Sequence, residues 1–254
     1  MSNIHWDAKG YDEHFSFVAH YGEGLFGLLD IHEGMSCLDL GCGTGTLTAK
    51  LKEKGLTVTG MDSSEDQLEL ARASYPDIPF FEGDAVCFRL EEPVDIVFSN
   101  AVLHWISSAD QLKALSSVFR ALKPGGQFVF EMGGYGNNAL IHAALKKEFE
   151  ARGLTYQMPF YFPSIGRQAT LLEDAGFLVR YAVLFDRPAP LDGPDGLMQW
   201  IHMFVKKPFE GIEVGTADEI VRSAVEDLRP SLLQDGVWCA DYVRLRMKAV
   251  KPEA

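Results

Sequence analysis

The chain has 254 residues, 47% of them hydrophobic and 23% charged, with a formal net charge of −13 at pH 7. That supplies enough apolar sequence for a sizeable core, either one large domain or one domain with an insertion. The acidic balance, with no Lys/Arg block, argues against DNA or RNA as a partner, because binding to phosphate backbones needs a basic face.

Residues 1–34 are rich in aromatics, including Trp6, Tyr11, Phe15, Tyr21 and Phe26, with a weak helical period. They predict a helical cap, read either as a segment packing on a core or as a lid whose rings close over a ligand, two roles that are compatible. From 35 to 131 the pattern alternates. Short apolar runs predict strands at 35–40, 57–61, 79–82, 94–99 and 126–131, and helical spacing fills 45–54, 64–74 and 109–122. Leu112, Leu115, Phe119 and Leu122 give the last of these its helical spacing. Gly55 stands where a helix C-cap is expected, and Pro124-Gly125-Gly126 is a sharp stop before a strand. Such alternation predicts a mostly parallel α/β sheet covered on both faces. Further on, helices are expected at 139–151 and, with Ser164 as N-cap, at 164–176. A strand is expected at 177–186, helices over 196–235 and a final alternating strand at 237–250. The stretch RPAPLDGPDG (187–196) is a loop boundary. The expected organisation is a single domain, 1–254. Its core is 35–189 with 237–250, capped by 1–34 and interrupted by a helical lid insertion at 190–236.

Four cysteines (Cys37, Cys42, Cys87, Cys239) form no CxxC pair, and no His pattern of the HxH or HExxH kind occurs, so neither a disulfide framework nor a metal site is expected. The N-terminus lacks the basic-then-apolar order of a signal peptide, and no apolar run reaches membrane-spanning length. A cytoplasmic protein with no membrane or nucleic-acid partner is expected.

The stretch most suited to chemistry is Met35–Thr46, MSCLDLGCGTGT: a strand ending near Asp39, then Gly41, Gly43 and Gly45 at alternate positions, then a helix start. Glycines let backbone approach a ligand closely, and a helix N-terminus aims unpaired N–H groups at it, so a nucleotide or nucleoside fits. The dinucleotide pattern GxGxxG is broken, because Thr46 stands at its third glycine position. Acids recur at the ends of the next strands, Asp62 after 57–61 and Asp84 in Gly83-Asp84-Ala85, followed by DIVFSN (95–100) and LKPGG (122–126).

In this order these motifs resemble the class I S-adenosylmethionine-dependent methyltransferases. The resemblance implies a Rossmann-like doubly wound sheet of seven strands, the last antiparallel. It also implies S-adenosylmethionine as cofactor, held by Asp39, Gly41, Gly43, Gly45, Asp62, Asp84, Ala85, Asn100 and Trp105. In the family the second acid takes the ribose hydroxyls, and the third takes the adenine amine beside a backbone N–H. AVLHWI (101–106), the N-terminal WDAxxYDEHFSFV stretch and YFPSIG…LLEDAGF resemble the branch related to trans-aconitate 2-methyltransferase, which esterifies a small carboxylic acid. Trp200-Ile-His-Met-Phe204 departs from that branch and speaks against a tricarboxylate; with Met198 and Phe209 it reads as an apolar lid.

The acceptor is expected to be a small molecule, methylated on a carboxylate or hydroxyl oxygen. A hydroxyl would need a base, for which His104, Tyr11 and His20 are the candidates. A carboxylate would need a cation, for which Arg167, Arg180, Arg187, Lys206 and Lys207 are available. Two other readings fit parts of the pattern: a nicotinamide-dependent oxidoreductase and a non-catalytic S-adenosyl-ligand-binding module.

Overall fold

The computed structural model describes residues 22–253. The chain alternates β1 (Ser36–Leu40), α1 (Thr46–Glu53), β2 (Thr57–Asp62), α2 (Glu65–Ser74), β3 (Phe80–Glu82) and β4 (Val94–Asn100). It continues through α3 (Gln111–Ala121), β5 (Leu122–Gly133), α4 (Ala139–Ala151), α5 (Ile165–Asp174) and β6 (Leu178–Asp186). The last part holds β7 (Ala189–Leu191), α6 (Gly196–Phe204), α7 (Val214–Leu232), β8 (Leu233–Gln234), β9 (Val237–Ala240) and β10 (Val243–Val250). Seven strands form one sheet in the order β3-β2-β1-β4-β5-β10-β6. β10 is antiparallel to both neighbours, while the β1, β2, β3, β4 and β5 pairings are parallel. Strand order reverses between β1 and β4, and the crevice at the carboxyl ends there is where such sheets bind ligands.

Both faces of the sheet are covered, which explains why its strands read as continuous apolar runs. Ile96, Phe98 and Val129 pack with Leu47 and Leu51 of α1 and with Leu25, from a 3-10 turn at Glu23–Leu28. Val97, Phe128 and Phe130 point the other way, onto Leu115 and Val118 of α3 and Leu171 and Leu172 of α5. Each fully buried Phe in this core contributes about 1.5–3 kcal/mol through removal from water. The Ser164 hydroxyl accepts the Arg167 N–H and caps α5 as expected, and Gly55 takes a positive φ of 89° just past α1.

Several expectations fail. Of the residues that set the helical spacing of α3, Leu115 and Leu122 are buried but Leu112 is exposed, and Val118 and Ala121 complete the inward side. The single strand expected over 237–250 is two. β9 pairs with β7 and β8 in a small antiparallel sheet, the chain turns at Asp241–Tyr242, and β10 joins the main sheet. The break is held from outside the strand: Asn138 N–H donates to the Asp241 carbonyl, and Leu140 N–H to its carboxylate. The insertion is therefore not purely helical, since β7 and β8 bracket α6 and α7. It also has a core of its own, in which Trp200, Ile201, Phe204, Val221, Leu228 and Trp238 bury against α4. The indole N–H groups find partners, Trp200 on the Tyr242 hydroxyl at 2.6 Å and Trp238 on the Pro194 carbonyl at 2.8 Å, so both rings are buried without an orphaned donor. Met198, Met203 and Phe209 lean on this second core. Of the cap expected at 1–34, residues 1–21 lie outside the described residues, Tyr11 and His20 among them. No helix among the described residues is long and apolar enough to cross a membrane.

Candidate active site

The glycine turn after β1 is built by backbone bonds to β2. Gly41 N–H and Cys42 N–H both donate to the Met61 carbonyl, at 2.7 and 3.0 Å. Gly41 takes a φ of 75°, and a Cβ there would lie 2.1 Å from Val102 Cγ2, so the turn rests directly on the segment after β4. The Ser99 hydroxyl donates to the Leu40 carbonyl at 2.8 Å and ties the same two strand ends together. Gly43 N–H donates to Asp62 Oδ2 at 2.9 Å and Ser64 N–H to Asp62 Oδ1 at 3.0 Å. Burial pushes the Asp62 carboxyl up from its ordinary range, while the Gly43, Ser64 and Ser63 N–H groups pull it back toward the ionised form.

A cavity opens at this edge. Its donor end is walled by Gly41, Gly43, Asp62, Asp84, Ala85 and Asn100. Asp84 Oδ1 accepts the Val86 N–H at 2.9 Å, which fixes the turn after β3. A Cβ on Gly83 would lie 2.5 Å from Met61 Sδ, so a side chain there would displace the buried Met61 thioether. The far end is walled by His104 and Trp105, by Phe160 and Phe162, and by Trp200 and Phe204 of α6. Two glycines and two acids from three strand ends thus converge with Asn100 and Trp105 on one space.

Asp39 and Gly45 are placed elsewhere. A Cβ on Gly45 would meet the Phe80 ring at 2.8 Å, so its role is close packing of α1's start on β3. Asp39 is buried and accepts the Thr48 hydroxyl of α1 at 2.7 Å. Burial, with the Asp62 charge nearby, lifts its carboxyl from 3.8 to about 7 although the Thr48 hydroxyl opposes the shift. The folded state therefore holds a proton that the unfolded chain has released. Stability from this group is full below pH 3.8 and is lost as pH rises through about 7. Urea unfolding over this range should show Asp39→Asn flattening the decline; an unchanged slope would show that Asp39 ionises as freely in the fold as in the unfolded chain.

His104 is buried in the cavity wall on a short 3-10 turn, Leu103–Trp105. Gly133 N–H donates to its Nδ1 at 3.2 Å, so the ring proton sits on Nε2. Burial, then the Arg244 charge, lowers its pKa well below 6.5. A neutral imidazole whose only basic nitrogen is already occupied is a donor, not the base considered from the sequence.

None of the five cations expected from the sequence lines the cavity. Arg187 is spent on Glu131, at 2.6 and 3.0 Å, where Arg246 joins it; Arg167, Arg180 and Lys207 are exposed. The cation that does line it is Arg244, 6% exposed, its guanidinium 4.1 Å above the Tyr242 ring. Because β10 is antiparallel, its first residues reach the carboxyl edge, with Arg244 opposite Gly133. A second missed feature is Ala101, whose φ of 61° strains the turn between Asn100 and Val102.

The residues present fit an adenosyl ligand. Two buried oxygens on the cavity wall, Gln67 Oε1 and Asn138 Oδ1, have no hydrogen-bond partner among the described residues. Orphaned acceptors of this kind cost about 1–3 kcal/mol each unless a ligand brings donors, and ribose hydroxyls, an adenine amine and an ammonium are all donors.

Residues 37–126 match the family model described as a methyltransferase domain. An uncharacterised methyltransferase of Schizosaccharomyces pombe is 30% identical over 263 residues, covering 99% of this chain and 100% of that protein. A trans-aconitate 2-methyltransferase of Rhizobium rhizogenes is 28% identical over 84% of this chain and 86% of its own. Among solved structures, phosphoethanolamine N-methyltransferase 2 of Haemonchus contortus, crystallised with S-adenosyl-L-methionine, superposes with a TM-score of 0.58 at 20% identity, over 92% of this chain and 53% of that one. With the glycine turn, the strand-end acids and the strand order on one edge, this chain belongs to the class I S-adenosylmethionine-dependent methyltransferases.

Proposed function

We propose that this methyltransferase esterifies a carboxylate on a small-molecule acceptor. The observation that carries this reading is Arg244, a buried guanidinium on the acceptor side of the cavity. Bound S-adenosylmethionine supplies a methyl group on a cationic sulfur, so an acceptor oxygen's lone pair forms the new C–O bond while the C–S pair leaves with sulfur, and a carboxylate has no proton to lose. Asp62 would take the ribose hydroxyls with the lone pairs that Gly43 and Ser64 leave open, and Asp84 with the Ala85 N–H would take the adenine. The guanidinium of Arg244 has five N–H donors, enough to serve an acceptor carboxylate beside any protein partner. His104 Nε2–H adds a donor at the same end, and the α6 rings, part of the 190–236 cover, keep water out. The residues chiefly align and desolvate, which is what displacement at an activated methyl group needs.

A buried guanidinium suits an anion better than an alcohol, and the Nε2–H tautomer of His104 takes that residue out of the candidate bases for an alcohol. The similarity to trans-aconitate 2-methyltransferase supports the same chemistry. The test is transfer of labelled methyl groups to panels of acids, alcohols and amines. The expected product is an alkali-labile ester, with kcat/KM free of any limb near pH 6.5. An alkali-stable ether or methylamine would overturn the reading.

A further inference from the structure

We infer that the acceptor is a monocarboxylate with an apolar or aromatic body, not a di- or tricarboxylate; this rests on the carboxylate reading above and adds the shape and charge of the rest of the molecule. Among the described residues that line the cavity, Arg244 is the one Lys or Arg. The far end beside it is largely ring, with Asn137, Asn138 and the His104 imidazole as polar neighbours on the same lining. Trp105 meets Phe160 edge-on at 4.7 Å between centroids, Phe160 stacks on Phe162 at 5.3 Å, and Trp200 lies 5.3 Å from Phe204. The wall is continuous, since Trp105 and Phe204 are 6.3 Å apart and bridge the two groups.

Arg244 stands at the border of this wall. Its guanidinium lies over Tyr242, whose hydroxyl accepts the Trp200 indole N–H. One cationic head site therefore adjoins a broad apolar surface, the complement of an amphiphile with one carboxylate. A second or third carboxylate would find no further Lys or Arg among the described lining residues. Burying an ion without a partner costs several kcal/mol, far more than rings recover by contact, while an apolar body gains about 25 cal/mol per Å² it hides there. Glu131 reinforces the count: it pairs with Arg187 and Arg246, so these two cations of the same sheet region are held by a protein carboxylate.

The experiment is calorimetric titration of the full chain, saturated with S-adenosylhomocysteine, using phenylacetate, octanoate and trans-aconitate. At least tenfold tighter binding of phenylacetate or octanoate than of trans-aconitate is expected. Arg244→Gln should lose the acids at least tenfold while keeping S-adenosylhomocysteine, which reports that the variant is folded. Phe160→Ala should weaken octanoate and leave trans-aconitate, if it binds at all, unaffected. Tighter binding of trans-aconitate overturns the monocarboxylate inference and leaves esterification standing. Acid binding that is indifferent to Arg244→Gln, or no binding of any acid to a protein that holds S-adenosylhomocysteine, overturns both.

Discussion

Replacing Asp62 by alanine is expected to weaken S-adenosylmethionine binding by at least about 100-fold in calorimetry, because one carboxylate serves both the ligand and the turn that receives it. Its Oδ2 holds the Gly43 N–H and its Oδ1 the Ser64 N–H. Truncation removes the acceptors for the ribose hydroxyls and leaves both N–H groups without their partner. Hydrogen bonds to a charged group are each worth roughly 1.5–3 kcal/mol, so losing two such ligand bonds corresponds to roughly 100-fold or more in affinity. Asp62→Asn separates the two roles. It keeps one acceptor oxygen for the turn and gives up the charge, so it should fall between wild type and Asp62→Ala. Equal affinity for all three proteins would remove Asp62 from the site.

The parts of this site that were legible in the sequence are those fixed by neighbours a few residues away. Strand, glycine turn and helix follow one another within Met35–Thr46, and Asp62 and Asp84 follow short apolar strands, so their arrival at one sheet edge comes from chain direction alone. Asp39 shows the limit. β1 is buried on both faces, so alternation does not reveal which side a residue takes, and Asp39 turns to Thr48 rather than to the cavity. Arg244 was hidden for a different reason. Its alternation with Arg246 and Lys248 looks like one solvated strand face, yet the three meet different neighbours: the cavity, Glu131 and Asp30. Only the antiparallel register against β5 tells them apart. The same holds for Arg187, whose partner Glu131 lies 56 residues away. Tertiary pairing of charges over such separations leaves no local trace.

Gly41→Ala should be the most damaging single change at the turn, and its repair should be partial in a predictable way. Two penalties act together. An alanine at a φ of 75° is strained by about 1–2 kcal/mol, and its Cβ at 2.1 Å from Val102 Cγ2 forces an overpacked contact worth about 1–3 kcal/mol. For a chain of 254 residues the sum lowers Tm by roughly 5–15 °C. Because the contact joins the ends of β1 and β4, where the cavity opens, S-adenosylmethionine binding should fall as well. The double variant Gly41→Ala/Val102→Ala relieves the clash but not the backbone strain. It should recover part of the lost Tm, with non-additivity of about 1 kcal/mol or more in a mutant cycle. Full additivity would mean that the turn does not rest on Val102. The strained Ala101 adjoins the same contact, so the glycine turn, whose own residues permit its positive φ, packs against a turn whose sequence disfavours the conformation it holds.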